Sequence, residues 1–174
     1  MSNKIILNLA ISVDGYIADN DDGYAWIQGD GKNVVHTNTV WSHQKFLENI
    51  DIVVMGQRCY ELQMHLEYTN KQIYVMTSKD LKDYDNVHFI SGDNTMIIKE
   101  LKEKTTGDIY LFGGGKSIDT FIKEDSIDEY IIGIIPIILG NGIPLFLGNN
   151  PTIPLTLKGY YIEDGVTVLH YLKR

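Results

Sequence analysis

Several functions are excluded by what this sequence lacks. It has one cysteine, Cys59, in 174 residues, which rules out an internal disulfide or a cysteine-rich zinc site and fits a reducing cytosol. Lysine and arginine number 15 against 23 acidic residues, a net charge of −8, and no Lys/Arg run exceeds a pair. An electrostatic footprint for nucleic acid or an anionic membrane is therefore missing, and a phosphate-bearing ligand must be met by a local cluster. No apolar run reaches the length of a membrane span, and the stretch after Lys4 is too short for a secretion signal. A cytoplasmic protein is expected. Repeats and low-complexity segments are absent. What is present, 44% hydrophobic and 22% charged residues, suits one domain over residues 1–174 with a single core, and is too little for two comfortable ones.

Along the chain, apolar and amphipathic stretches alternate. "KIILNLAIS" (4–12) reads as a buried strand. A polar, glycine-punctuated loop follows over 13–33, long enough to imply function and carrying Tyr16, Tyr24 and Trp26. Val40, Phe46 and Leu47 predict a helix over 37–49. "DIVVMG" is a strand, "QRCYELQMHL" opens a helix, "QIYVMTS" and "VHFIS" are strands, and "TMIIKELKEKT" is an amphipathic helix. After "IYLFGGGKS" come a short helix, the apolar run "EYIIGIIPIIL", the turn-rich "GNGIPLF", and a hairpin, "LTLKGYYI" and "VTVLHYLK", joined by "EDG". This order implies an α/β fold: a mixed, mostly parallel sheet flanked by helices, with a C-terminal antiparallel hairpin.

"GDIYLFGGGKS" (107–117) places three glycines between a strand and a helix beginning near Lys116. A P-loop needs glycine six positions before its lysine, where this chain has Tyr110, and the G-x-G-x-x-G fingerprint fails at Ile118. A glycine turn that lets backbone approach a ligand remains, at a helix start that favours an anion. The alternative is a tight turn that holds nothing.

"LAISVDGYIAD" with Trp26 downstream, "VVMGQRCYE", "YVMTSK", "IYLFGGGKS" and "PIILGNGIPLF" resemble, in order and across nearly the whole chain, the dihydrofolate reductase-like superfamily. Within it the chain is similar to the stand-alone reductases related to the riboflavin-biosynthesis reductase (RibD C-terminal domain). The resemblance implies NADPH as cofactor and no metal. It points to backbone at Ala10 and Ile17 beside the nicotinamide, and to Gly56, Gln57, Arg58 and Cys59 at the pyrophosphate. Thr77, Ser78 and Lys79 would lie around the adenosine phosphate, and Phe112, Gly113, Gly114, Gly115, Lys116 and Ser117 would complete the cradle. Family members commonly carry Gly-Arg-Lys-Thr where this chain has Gly-Gln-Arg-Cys, which alters the 2′-phosphate contact and removes a hydroxyl. Cys59 reads as a small packed hydrophobe.

On the substrate side, folate reduction by this fold uses a carboxylate in the first helix, and none lies between Asp30 and Glu48. His36 and His43 are what that region offers. Asp14, in Ser12-Val13-Asp14-Gly15, is the catalytic candidate, with turn-shaping as its alternative role; Asp14, Trp26, Phe46, Tyr110 and Phe112 are expected to wall the substrate. The resemblance implies hydride transfer to a small planar heterocycle or a conjugated C=N or C=C group. The alternatives are a 5-amino-6-(5-phosphoribosylamino)uracil reductase, a dihydrofolate reductase and a nucleotide-binding protein without catalysis. The length of "EYIIGIIPIIL" implies a strand covered on both faces and Pro136 marks an edge or bulge; a homodimer through this half of the sheet is expected, as in similar proteins, with a simple central strand as the alternative.

Overall fold

A computed structural model describes residues 3–174. Eight strands form one sheet. In chain order these are β1 (Ile5–Ser12), β3 (Ile50–Gly56), β4 (Gln72–Met76), β5 (Val87–Ile90), β6 (Asp108–Gly113), β7 (Glu129–Ile135), β9 (Leu155–Glu163) and β10 (Val166–Lys173). They lie side by side as β5-β4-β3-β6-β1-β7-β10-β9. The first six are parallel, and β10 and β9 continue antiparallel. A separate two-stranded pair joins β2 (Tyr16–Ala18) to β8 (Ile143–Pro144).

The β-branched runs that make the parallel strands are buried on both sides, as such a sheet requires. On one face, α3 (Asn94–Glu103) and α4 (Gly115–Lys123) lay Ile97, Leu101, Ile118, Phe121 and Ile122 over Leu7, Val54, Ile109 and Leu111. The opposite face carries α1 (His43–Leu47), α2 (Gln57–Glu61) and a 3-10 turn (Met64–Tyr68), with Phe46, Leu47 and Cys59 packed on Val53, Met55, Val75 and Tyr110. The hairpin turn uses Asp164 and Gly165, both at positive φ (52° and 75°), which matches the twist of β9 and β10.

Three sequence expectations are corrected. The helix expected over 37–49 is only His43–Leu47, because Thr37 is drawn to the sheet edge. Its N–H donates to the Ile162 carbonyl at 2.9 Å, and its Oγ1 accepts from the Ile162 N–H at 2.9 Å. Ser42 then caps the helix, its hydroxyl accepting from the Lys45 N–H. The loop over 13–33 is not structureless, since it contains β2. Pro136 marks neither an edge nor a bulge: it follows the last residue of β7, whose seven residues lie between β1 and β10 with five buried by the chain's own packing. The apolar run therefore needs no second copy to cover it. No helix among the described residues is long and apolar enough to cross a membrane.

Candidate nucleotide and substrate site

Parallel strands bring their C-terminal ends to one edge, and open α/β sheets bind ligands there. At this edge β3 ends in Gly56 and β6 in Gly113, and the β3–β6 register slips at Phe112, so that Met55 faces Gly113. Gly114 then turns into α4 with φ +89°. A Cβ on Gly114 would stand 3.2 Å from the Gly56 Cα, and one on Gly56 would stand 2.8 Å from the Ser117 Oγ. The "GGG" and "MG" glycines thus meet each other, and Ser117 is buried against Gly56. Gly115 opens toward β2 and β8, with Ile143 and Ile17 at ordinary contact distance from the place of its missing Cβ.

Gly114 caps α4 without a side-chain acceptor, and the first helical bond runs from the Ile118 N–H to the Gly114 carbonyl. The N–H groups of Gly115, Lys116 and Ser117 have no acceptor within the helix. With the bare backbone at Gly56 and Gly113 beside them, they fit a dinucleotide pyrophosphate. The expected residues Ile17, Gly56, Gly113, Gly114, Gly115 and Ser117 are therefore brought together. Ala10 lies on β1 opposite Gly133. Lys116 points outward and is exposed. Phe112 sits edge-on to Tyr68 and Tyr110. Cys59 packs in the core, where burial pushes its thiol up to about 11, so it is no nucleophile.

Arg58, expected at the pyrophosphate, and Lys79, expected at the adenosine phosphate, are each paired with a carboxylate. Arg58 Nε donates to Asp22 Oδ2 at 2.8 Å, which ties the long loop to α2, and Lys79 Nζ donates to Glu61 Oε1 at 3.0 Å. Glu61 also accepts from Gln57 Nε2 at 2.6 Å, and Gln57 Oε1 accepts from the Thr77 hydroxyl at 2.6 Å. These donors hold the Glu61 carboxyl below its ordinary range. Sequence reasoning missed Glu61, although its i+4 spacing from Gln57 was legible. Ser78 is exposed.

Asp14 acts as a clasp. Its oxygens accept from the Ser12 hydroxyl (2.6 Å), the Leu139 N–H (3.1 Å) and the Gly140 N–H (2.7 Å), which lowers its pKa and fastens the turn after β1 to the segment leaving β7. The expected local, Asx-type role of Asp14 with Gly15 is not what the structure shows: the carboxylate reaches across to residues 139 and 140, and the Tyr16 N–H donates to the Ser12 hydroxyl instead.

Of the expected substrate walls, Phe46 and Tyr110 meet edge-on at 5.0 Å, and Phe112 extends the cluster at 5.7 Å from Tyr110. Burial raises the Tyr110 phenol far above its usual value. Trp26 is not part of this cluster: its Nε1 donates to the Gly23 carbonyl within its own loop. The tryptophan at the cluster is Trp41, which lies 5.9 Å from Phe46, 5.6 Å from Tyr161 and 6.4 Å from His170. Trp41 and Tyr161 also line a cavity of about 540 Å³ with Val166 and Val168. His43 lies 5.9 Å from Tyr110, with its Nδ1 3.5 Å from the amide of Asn8, and burial lowers its pKa against the opposing pull of Glu67. No cluster of metal-ligating side chains occurs among the described residues.

The strand order, the C-terminal hairpin and the glycine edge define a dihydrofolate reductase-like fold. Dihydrofolate reductase from Enterococcus faecalis, solved with NADP(H) and RAB-propyl, superposes with a TM-score of 0.68 over 100% of this chain and 98% of that one, at 14% identity. Residues 48–164 match the RibD C-terminal domain, and the chain belongs to that family. It is 34% identical to the uncharacterized protein YwjB of Bacillus subtilis, with 99% of each chain covered. The putative riboflavin biosynthesis protein of Shewanella sp. PV-4 has a TM-score of 0.81 at 29% identity, covering 98% of this chain and 99% of that one.

Proposed function

We propose that this chain is an NADPH-dependent reductase that delivers hydride to a C=N or C=C bond of a small planar heterocycle. The observation that carries the reading is the meeting of bare backbone at Gly56 and Gly113–Gly115 with the open N-terminus of α4, at the end of the strand β6 that carries Tyr110 of the Phe46–Tyr110–Trp41 cluster. When bound, the nicotinamide supplies the hydride. The protein's part is orientation and a dry pocket. Gly115, Lys116 and Ser117 would meet the pyrophosphate with backbone N–H groups, and Ala10 and Ile17 would present backbone beside the nicotinamide. The Asp14 clasp fixes the turn between those two residues, which makes it a positioning residue. Family membership supports a reductase, and the dihydrofolate reductase-like fold supports a nicotinamide cofactor.

A second reading, reduction of 5-amino-6-(5-phosphoribosylamino)uracil, is favoured by the family and by the Shewanella relative's description. It needs a cation for the substrate phosphate. Lys32 and Lys45 are exposed and enter no ion pair among the described residues. Following loss of the reduced-nicotinamide absorbance across pteridines, pyrimidines, quinones and this uracil derivative tests both. Turnover of a heterocycle is expected, the uracil phosphate alone would select the second reading, and NADPH binding without turnover of any would leave a nucleotide-binding protein.

A further inference from the structure

α1 has no carboxylate. Its sequence is His-Gln-Lys-Phe-Leu, so a cationic ring has no counter-charge on that helix. The polar group that faces it is on the strand beneath. Asn8 interrupts the apolar β1 on the same side as Ala10, two residues away, which is about 7 Å along a strand. Only 7% of Asn8 is exposed. A buried amide offers two donors and one acceptor with two lone pairs, and these are normally satisfied. Here the single partner among the described residues is His43 Nδ1 at 3.5 Å, the outer limit of a hydrogen bond. The rest of the Asn8 amide makes no hydrogen bond among the described residues, and the His43 ring that it meets packs against Phe46 and Tyr110.

We infer that Asn8 is the ring-reading residue of the substrate pocket, pairing through both ends of its amide with an uncharged N–H/C=O edge of a heterocycle while His43 holds the amide in place. The inference rests on the reductase reading above and adds to it the charge state and edge pattern of the substrate. A lactam edge presents the complementary donor and acceptor in a plane. A diamino ring protonated at N1 presents two donors on its N1/2-amino edge, for which one amide oxygen is a poor match and no carboxylate is at hand. His43 suits this role because its Nδ1 lies within hydrogen-bond reach of Asn8, and partial desolvation of this otherwise exposed residue favours the neutral form in which Nδ1 can accept. Packing of its ring against Phe46 and Tyr110 fixes that orientation.

Calorimetric titration of the cofactor-free protein with two pteridines tests the assignment: lumazine, which carries the dioxo (imide) edge, and 2,4-diaminopteridine. The wild-type protein is expected to bind lumazine at least tenfold more tightly. Asn8→Leu should weaken lumazine about ten- to a hundredfold, the loss of two neutral hydrogen bonds, and leave the diamino ring unchanged. Asn8→Asp should reverse the preference. Equal binding of lumazine to wild type and Asn8→Leu, or a wild-type preference for the diamino ring, or no lumazine binding at all, overturns the inference. NADPH titration of the same samples separates the two levels. A wild-type protein that binds lumazine and not NADPH would defeat the reductase reading alone, and Asn8→Leu that still binds NADPH is folded. The wild-type comparison of the two pteridines decides the matter even if neither variant folds.

Discussion

Gly114→Ala tests whether the central glycine of "GGG" is required by packing or by a ligand. The new Cβ would stand 3.2 Å from the Gly56 Cα and 3.3 Å from the Gly56 N. Both atoms are backbone and cannot swing aside as a side chain could. The residue would also have to hold φ +89°, which costs a non-glycine residue about 1 to 3 kcal/mol. Relieving the overlap adds about 1 to 3 kcal/mol, so a loss of about 2 to 6 kcal/mol is expected. In a chain of this length each kcal/mol moves Tm by about 2 to 4 °C, and the midpoint of thermal unfolding followed by circular dichroism should drop by about 4 to 24 °C. Gly115→Ala is the matched control. Its Cβ would find Ile143 Cγ2 at 3.7 Å, ordinary contact, at a backbone angle any residue accepts. Its stability should stay within about 0.5 kcal/mol of the parent, while NADPH binding weakens if backbone must approach the pyrophosphate there. A Gly114→Ala protein that melts with the parent would refute the packing argument.

Glu129 is buried, receiving His170 Nε2 and Lys4 Nζ at 2.5 Å each, and its pKa is lowered to about 2, first by His170 and then by Lys4 against the opposing effect of burial. A carboxylate depressed in the folded state stabilises above its unfolded pKa, so stability should decline as pH falls from about 4.5 toward 2. Glu129→Gln should flatten that decline in chemical unfolding curves, and an unaltered acid limb would show that other carboxylates govern it. Glu61→Gln should release Lys79 and raise the NADPH-over-NADH affinity ratio by up to about fivefold, the ceiling for one exposed charge pair; a ratio that stays or falls would place the 2′-phosphate elsewhere. A homodimer is proposed through the exposed Leu157 and Tyr160 of the edge strand β9, half or more of each being solvent-accessible. Light scattering at micromolar concentration should give twice the 19.8 kDa chain mass, and a monomer mass would exclude the dimer.

The strands were legible because each is a compact apolar run bounded by turn residues, and the hairpin because "EDG" supplies positive φ where it is needed. The end of "EYIIGIIPIIL" was misread, although Pro136 lacks the N–H that would have continued the ladder. Phe46 and Tyr110 were expected together from the sequence, and the structure brings their rings edge-on at 5.0 Å, one from α1 and one from the middle of β6. The choice between Trp26 and Trp41 was not, since it depends on β9 drawing Thr37 to its edge 125 residues away, and nothing local encodes that. Asp22 meeting Arg58 across 36 residues is of the same kind. Asn8 did leave a signal that went unused, as the one amide in an otherwise apolar strand.

The central claim is that the glycine edge holds a reduced nicotinamide dinucleotide. Titrating NADPH into the protein while exciting tryptophan tests it most directly, because Trp41 stands at the aromatic cluster beside the proposed site. Saturable quenching of tryptophan with sensitised nicotinamide emission at micromolar NADPH, weakened in Gly115→Val while the fold persists, is the predicted result. Absence of saturation up to millimolar NADPH would contradict the account.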